Sequence, residues 1–225
     1  MCDHNEKEVN ESEVDDLDVD KAEVDESEDI SSEVNEAVRK YNSLGRKLTY
    51  ADYASWDDDN RYELIDGVAY FISAPSVAHQ SILTEITRQL ANYLFGKTCR
   101  VFASTFDICL FGKGDEDTTV VQPDVLVICD RTKIENGRYC NGAPDLVVEI
   151  LSLSSSKRDR FIKLKKYLQA GVREYWIVDP DHKSITVHIL ENDKYVIYAY
   201  DENDVLPVNI LDDCDIILSY VFSDL

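Results

Sequence analysis

Residues 146–151 read Leu-Val-Val-Glu-Ile-Leu, and residues 174–179 read Glu-Tyr-Trp-Ile-Val-Asp. Both are almost continuously apolar, as strands buried on both faces must be. Between them, Lys157–Ala170 has helical character and is closed by Gly171. The spacing predicts a strand, a helix returning along the sheet, and a second buried strand.

Working outward, the same alternation of element types continues. Upstream, Val120–Cys129 reads as a strand interrupted by Pro123, and 131–143 as a loop. Arg100–Phe111 reads as a strand that ends in a polar loop, Gly112–Asp117. Ile82, Ile86, Leu90 and Leu94 recur every four residues and mark the buried stripe of a helix from Pro75 to Phe95, stopped by Gly96. Arg61–Ile65 and Val68–Ser73 flank Asp66-Gly67, a dipeptide that suits a two-residue hairpin because both positions tolerate positive φ. Thr49 can cap a short helix that runs through Trp56. Downstream, Asp181–Tyr200 reads as a hairpin turning near 191–193, and the apolar Val205–Leu225 packs on the sheet. Strands with interspersed helices predict an α/β or α+β protein with a mixed central sheet.

Charge divides the chain into two parts. The whole has 225 residues, 45 acids and 23 Lys plus Arg, for a formal charge of −22. Residues 1–36 hold 16 of the acids and two bases, Lys7 and Lys21, with no aromatic residue, Gly or Pro. Their valines recur about every five positions, a period that lines no helix or strand face. That composition predicts a disordered, solubilising tail over 1–44 and a folded domain over 45–225. No run is apolar enough to span a bilayer, and the first residues do not read as a signal peptide, so the expected compartment is a cytoplasm. Six scattered cysteines without a CxxC pair argue against a zinc site, and the cytoplasmic reading argues against disulfides. Cys109 and Cys129, inside apolar runs, read as small hydrophobes.

Candidate chemistry lies where acids interrupt buried strands. Glu149 stands inside Val147-Val-Glu-Ile-Leu151, and Asp124 heads Asp124-Val-Leu-Val-Ile128. An ionised group there is costly unless compensated. Each acid can make its own salt bridge or cap a loop; alternatively both point at one spot and share a hard divalent cation. On the following helix, counted at 100° per residue, Phe161, Leu164 and Leu168 face the core. Asp159 and Lys163 lie opposite, four apart and able to pair. Lys163 can then reach the two carboxylates or remain an ordinary solvated lysine. Trp176, Tyr175 and Tyr167 read as core, and His182 and His188 as structural.

In order and spacing, five pieces resemble the PD-(D/E)XK nuclease superfamily. They are YELIDG (62–67), QPDVLV (122–127), VVEILS (147–152), Asp159 with Lys163, and GVREYWIVDP (171–180). More narrowly they resemble its "putative restriction endonuclease" family that is abundant in cyanobacteria, and the likeness spans roughly residues 46–225. The resemblance implies a restriction-endonuclease-like mixed sheet flanked by helices and hydrolysis of phosphodiester bonds, with DNA as the expected partner. Asp124 and Glu149 would bind Mg²⁺ or Mn²⁺ together with the backbone carbonyl of Ile150, and Glu63 would be a further ligand. The superfamily's EXK lysine position is Leu151 here, and Lys163 on the following helix takes its part, as in the narrower family. Leu153 replaces the Pro that the family usually carries. Asp159 would position Lys163, and Gln122 and His79 would support the site. The basic stretch Lys157, Arg158, Arg160, Lys165 and Lys166 is the local attraction for nucleic acid in an acidic chain, and a homodimer would align two such patches on one duplex. A non-catalytic interaction module, or a hydrolase of a smaller phosphoester, would use the same scaffold differently.

Overall fold

The protein is described by a computed structural model, which covers residues 38–57, 60–152 and 158–223, with backbone alone for 158–160. The expected disordered tail lies, over 1–37, outside the described residues. Residues 38–42 are helical, and Tyr41 stacks on Trp56 with ring centroids 3.7 Å apart. The packed body therefore reaches upstream of residue 44.

Thirteen strands run in chain order among the described residues. They are β1 (Tyr62–Ile65), β2 (Val68–Phe71), β3 (Arg100–Ala103), β4 (Ile108–Cys109), β5 (Val120–Val121), β6 (Val125–Ile128) and β7 (Cys140–Asn141). There follow β8 (Leu146–Ile150), β9 (Glu174–Asp179), β10 (Ser184–Glu191), β11 (Lys194–Asp201), β12 (Val205–Pro207) and β13 (Asp215–Ile217). The helices are α1 (Tyr50–Tyr53), α2 (Val77–Leu94), α3 (Leu164–Ala170) and α4 (Leu218–Val221). The fold is mixed α+β.

The strands form a six-stranded sheet, β11-β10-β9-β8-β6-β3, a five-stranded sheet, β2-β1-β5-β4-β7, and the small β12-β13 pair. In the large sheet only β8 and β9 are parallel, which their connection through α3 requires. Its two faces carry separate cores. One is covered by the α2 stripe Ile82, Ile86, Leu90 and Leu94 together with the C-terminal residues Leu206, Ile216 and Phe222. The other includes Val147, Leu151, Tyr167 and Tyr175. A third, aromatic cluster of Tyr41, Tyr50, Tyr62 and Trp56 packs on the smaller sheet.

Local chemistry explains most boundaries. Ser76 caps α2 by accepting from the His79 N–H, and Thr49 and Asp52 form a capping box on α1. Asp66 (φ 54°) and Gly67 (φ 83°) make the β1-β2 turn. A Cβ on Gly67 would lie 2.6 Å from the Lys47 Cβ, so that position excludes a side chain on packing as well as φ.

Four expectations change. Arg100–Phe111 is not one strand: β3 and β4 lie in different sheets. Val120–Cys129 is likewise split into β5 in the small sheet and β6 in the large one. Pro123 lacks an N–H and ends the first ladder, so the chain switches sheets at Gln122-Pro123-Asp124. The loop 131–143 contains the short strand β7. Finally, Cys99 and Cys129 are bonded to each other. They flank the Arg100↔Ile128 pair of β3 and β6, so antiparallel pairing sets the two sulfurs face to face. Cys109, Cys140 and Cys214 are buried free thiols.

Candidate active site

The sheet switch places the chemistry. Asp124 leaves the small sheet just before β6, and β6 pairs with β8, which carries Glu149. Side chains alternate along β8. Val148 and Ile150 enter the α2-side core, and Glu149 points to the opposite face with Val147 and Leu151.

Asp124 Oδ2 accepts from the Ile150 N–H at 2.8 Å and lies 3.1 Å from His79 Nε2. One carboxylate oxygen thus ties the sheet switch, β8 and the first turn of α2 together. Glu149 Oε1 accepts from Lys163 Nζ at 2.7 Å and from the Tyr167 hydroxyl at 2.6 Å. The same ammonium lies 2.8 Å from Glu63 Oε1, which also accepts from the Gln122 N–H at 2.8 Å. Glu63, Glu149 and Lys163 are all less than 5% exposed. Burial, reinforced by the Glu149 carboxylate, holds the Tyr167 hydroxyl pKa well above its ordinary value, so Tyr167 stays protonated and donates.

The helix before β9 faces differently from the even 100° count. Arg158–Lys163 is π-helical and α3 begins only at Leu164. Bonds from i to i+5 turn the chain less per residue, so the stripe shifts. Phe161, expected in the core, is 66% exposed, whereas Lys163 is buried with Tyr167 four residues on. Lys163 pairs with Glu63 and Glu149. Its expected partner, the Asp159 side chain, lies outside the described residues, as do Leu153, Lys157 and the side chains of Arg158 and Arg160. Lys165 is exposed, and Lys166 pairs with Asp66 at 2.6 Å.

Gln122, expected only as a polar neighbour, is a hub. Its Nε2 donates to Asp107 Oδ1 at 2.7 Å and to the Tyr53 hydroxyl at 2.8 Å. Its Oε1 accepts from Arg61 Nη2 at 2.9 Å. Burial raises the Asp107 pKa, and the Gln122 contact pulls the other way. Arg61 was not singled out in the sequence; its position two residues before Glu63, on the same strand face, was the available signal. Arg61, Glu63, His79, Asp124, Glu149 and Lys163 line one cleft of about 70 Å³, together with Ser104 and Ser152. Such a cleft admits a few water-sized groups.

Other sequence readings keep their structural sense. His188 sits against the Tyr175 carbonyl, and burial lowers its pKa to about 4. His182 lies 3.0 Å from Asp179 on the surface, and Trp176 is fully buried. Among the described residues, no helix is long and apolar enough to cross a membrane.

The mixed sheet with its flanking helices is of the restriction-endonuclease-like class of folds. The chain belongs to the Uma2 family, described as "Putative restriction endonuclease", whose sequence profile matches residues 50–217. A crystal structure described as that of a putative nuclease, from Anabaena variabilis ATCC 29413, shares the fold. Its TM-score is 0.62 at 22% identity, over 78% of this chain and 98% of that one. No curated protein matches.

Proposed function

We propose that this cleft hydrolyses phosphodiester bonds of nucleic acid, with DNA the first substrate to try, and that Mg²⁺ or Mn²⁺ assists. The observation that carries the reading is the Lys163 ammonium held at 2.7 and 2.8 Å between Glu149 and Glu63, in the cleft that Asp124 lines. A lysine buried between two acids beside a third serves stability poorly, since well-packed apolar groups would do as well or better.

The donor set suits a hard cation. Asp124 and Glu149 supply carboxylate oxygens and Ile150 a carbonyl, and Mg²⁺ is typically held by one or two carboxylates completed by water and phosphate. Among the described residues, no three His, Cys, Asp or Glu side chains stand as a ready cage. Two carboxylates completed by water and phosphate would hold the ion without such a cage. At full ionisation, Asp124, Glu149 and Glu63 outnumber Lys163 and Arg61 by one charge, which favours binding of a cation. The metal would polarise the phosphate and acidify a water.

The chain's own groups divide the remaining work. Lys163 orients the attacking water and offsets the charge that develops on phosphate. Glu63, whose Oε1 already accepts from Gln122 and Lys163, positions that ammonium. This is a different part from the ligand role that the family likeness implies for it. His79 and the Ile150 N–H hold Asp124, and Tyr167 holds Glu149.

The test is nicking of supercoiled plasmid in Mg²⁺ or Mn²⁺ by the wild type, Glu149→Ala and Lys163→Ala. Metal-dependent nicking by the wild type that is lost in both variants is expected. Nicking that persists in both refutes the assignment. The acidic balance, −22 overall, favours a second reading, a small phosphoester substrate. It would show as hydrolysis of bis(p-nitrophenyl) phosphate with plasmid left intact.

A further inference from the structure

Arg61 enters the cleft from the residue just before β1, two positions from Glu63, so the two side chains share a strand face. It is half-buried. Its Nε and Nη2 donate to Gln122 Oε1 at 3.3 and 2.9 Å, and Nη2 also donates to Ser104 Oγ at 3.1 Å. Both partners are neutral. Among the described residues no carboxylate lies within ion-pair distance of the guanidinium, and Nη1 makes no hydrogen bond. Gln122 is itself fixed by Asp107 and Tyr53, so the edge that carries Nε and Nη2 is clamped.

A guanidinium that is partly removed from water and hydrogen-bonded only by neutral oxygens, with the Asp107 carboxyl acting on it across Gln122 from beyond ion-pair distance, retains charged donors for another anion. Its planar donors match the oxygens of a phosphate group. Ser104 Oγ accepts from Arg61, which leaves its own proton to donate. Arg61 and Ser104 line the same cleft as Asp124, Glu149 and Lys163. The carboxylates there repel an anion, so a fixed cation on one wall decides where an anion can sit.

We infer that Arg61 and Ser104 form an anion subsite that takes a phosphodiester group, with Arg61 making the charged contact and Ser104 a hydroxyl contact. For the identity of the natural substrate this rests on the nuclease reading; for the subsite itself it does not. No bond is made or broken at Arg61, which binds and orients.

Two measurements on the full chain test it. The first titrates dimethyl phosphate while following the Arg61 side-chain Nε–H resonance, assigned by its loss in Arg61→Lys. A saturable shift is expected. The second measures binding of a short DNA duplex, in Ca²⁺, against salt concentration. Removing one phosphate contact lowers the slope of log K against log salt by about 0.9, and weakens binding about eightfold at 0.1 M salt. Arg61→Gln is expected to show that change. Arg61→Lys, which keeps the charge but not the fork, is expected to keep the slope. Thermal unfolding of both variants guards against a folding defect, and Ser104→Ala removes the hydroxyl contact without touching the charge. An unmoved Arg61 resonance together with an unchanged Arg61→Gln slope overturns the subsite. If plasmid is nicked in that case, the nuclease reading stands alone. If plasmid is neither nicked nor bound while dimethyl phosphate still shifts Arg61, the subsite stands and the nuclease reading falls.

Discussion

Glu149 and Glu174 occupy neighbouring parallel strands of one sheet, both nearly inaccessible to solvent, yet their surroundings are opposite. Glu149 lies near the end of β8, on the face covered by α3. Its Oε1 is held by an ammonium and a phenol at the edge of a cleft. Glu174 opens β9, at the other end of the sheet and on the α2 face. Its oxygens are held by the Trp176 indole N–H at 2.8 Å, the Ile210 N–H at 3.0 Å and the Asn209 amide. Burial raises the Glu174 pKa, opposed by those neutral donors. Burial alone thus does not mark a chemical site. What distinguishes Glu149 is a buried positive charge paired to it and open space beside it, whereas Glu174 is a clasp that fastens the C-terminal segment to the sheet.

The sharpest way to break this contrast is to neutralise each glutamate in turn. Glu149→Gln removes a carboxylate that would hold the metal and is expected to reduce plasmid nicking by at least about 10–100-fold, the loss typical of altering groups that merely orient a metal ligand. Glu174→Gln should leave the rate per folded molecule nearly unchanged. Equal losses would erase the distinction. Next in size is removal of the cation. Lys163→Met leaves Glu63 and Glu149 buried without it and should cost about 3–5 kcal/mol in urea denaturation. Adding Glu63→Gln to that variant should recover part of the loss. A smaller effect is expected from the hydroxyl: Tyr167→Phe removes a hydrogen bond to a charged group and should cost about 1.5–3 kcal/mol by the same measurement.

The least effect is one of pH. A carboxyl whose folded pKa exceeds its unfolded one binds protons more tightly in the native state. Its stabilising contribution is present below the ordinary value and is lost as pH rises through the raised one. Denaturation of wild type and Glu174→Gln across that range should therefore give a difference that grows against the wild type above pH 4.5, the ordinary glutamate value. A flat difference would mean that Glu174 is not strained by its burial.

How much of this was legible in the sequence follows from the period of each segment. β8 announced itself because a lone acid interrupts five apolar residues, and the α2 stripe because regular α-helical spacing holds for all of Val77–Leu94. The Asp66-Gly67 turn was readable from backbone chemistry alone. The helix bearing Lys163 departs from its sequence pattern for a definite reason. Its first six residues are π-helical, and an even 100° count sends Phe161 inward and Lys163 outward, the reverse of what two waiting carboxylates enforce. The sheet switch at Pro123 was visible as an interruption, but not as a change of partner, because partner strands are set by residues far away. The Cys99–Cys129 bond was missed similarly: it depends on β3 and β6 being neighbours. Arg61 went unremarked because nothing local separates a strand-end arginine on the surface from one clamped in a cleft.

The sequence distances within the site have a consequence for the making of the protein. Glu63 meets Lys163 across a hundred residues, Gln122 across 59, and His79 meets Asp124 across 45. Contacts that close such long loops form late in folding. During synthesis the lysine emerges 100 residues after Glu63, 39 after Asp124 and 14 after Glu149. A growing chain therefore carries Glu63 without its lysine while 100 of the 225 residues are added, and a reaction that needs both cannot begin before Lys163 has emerged.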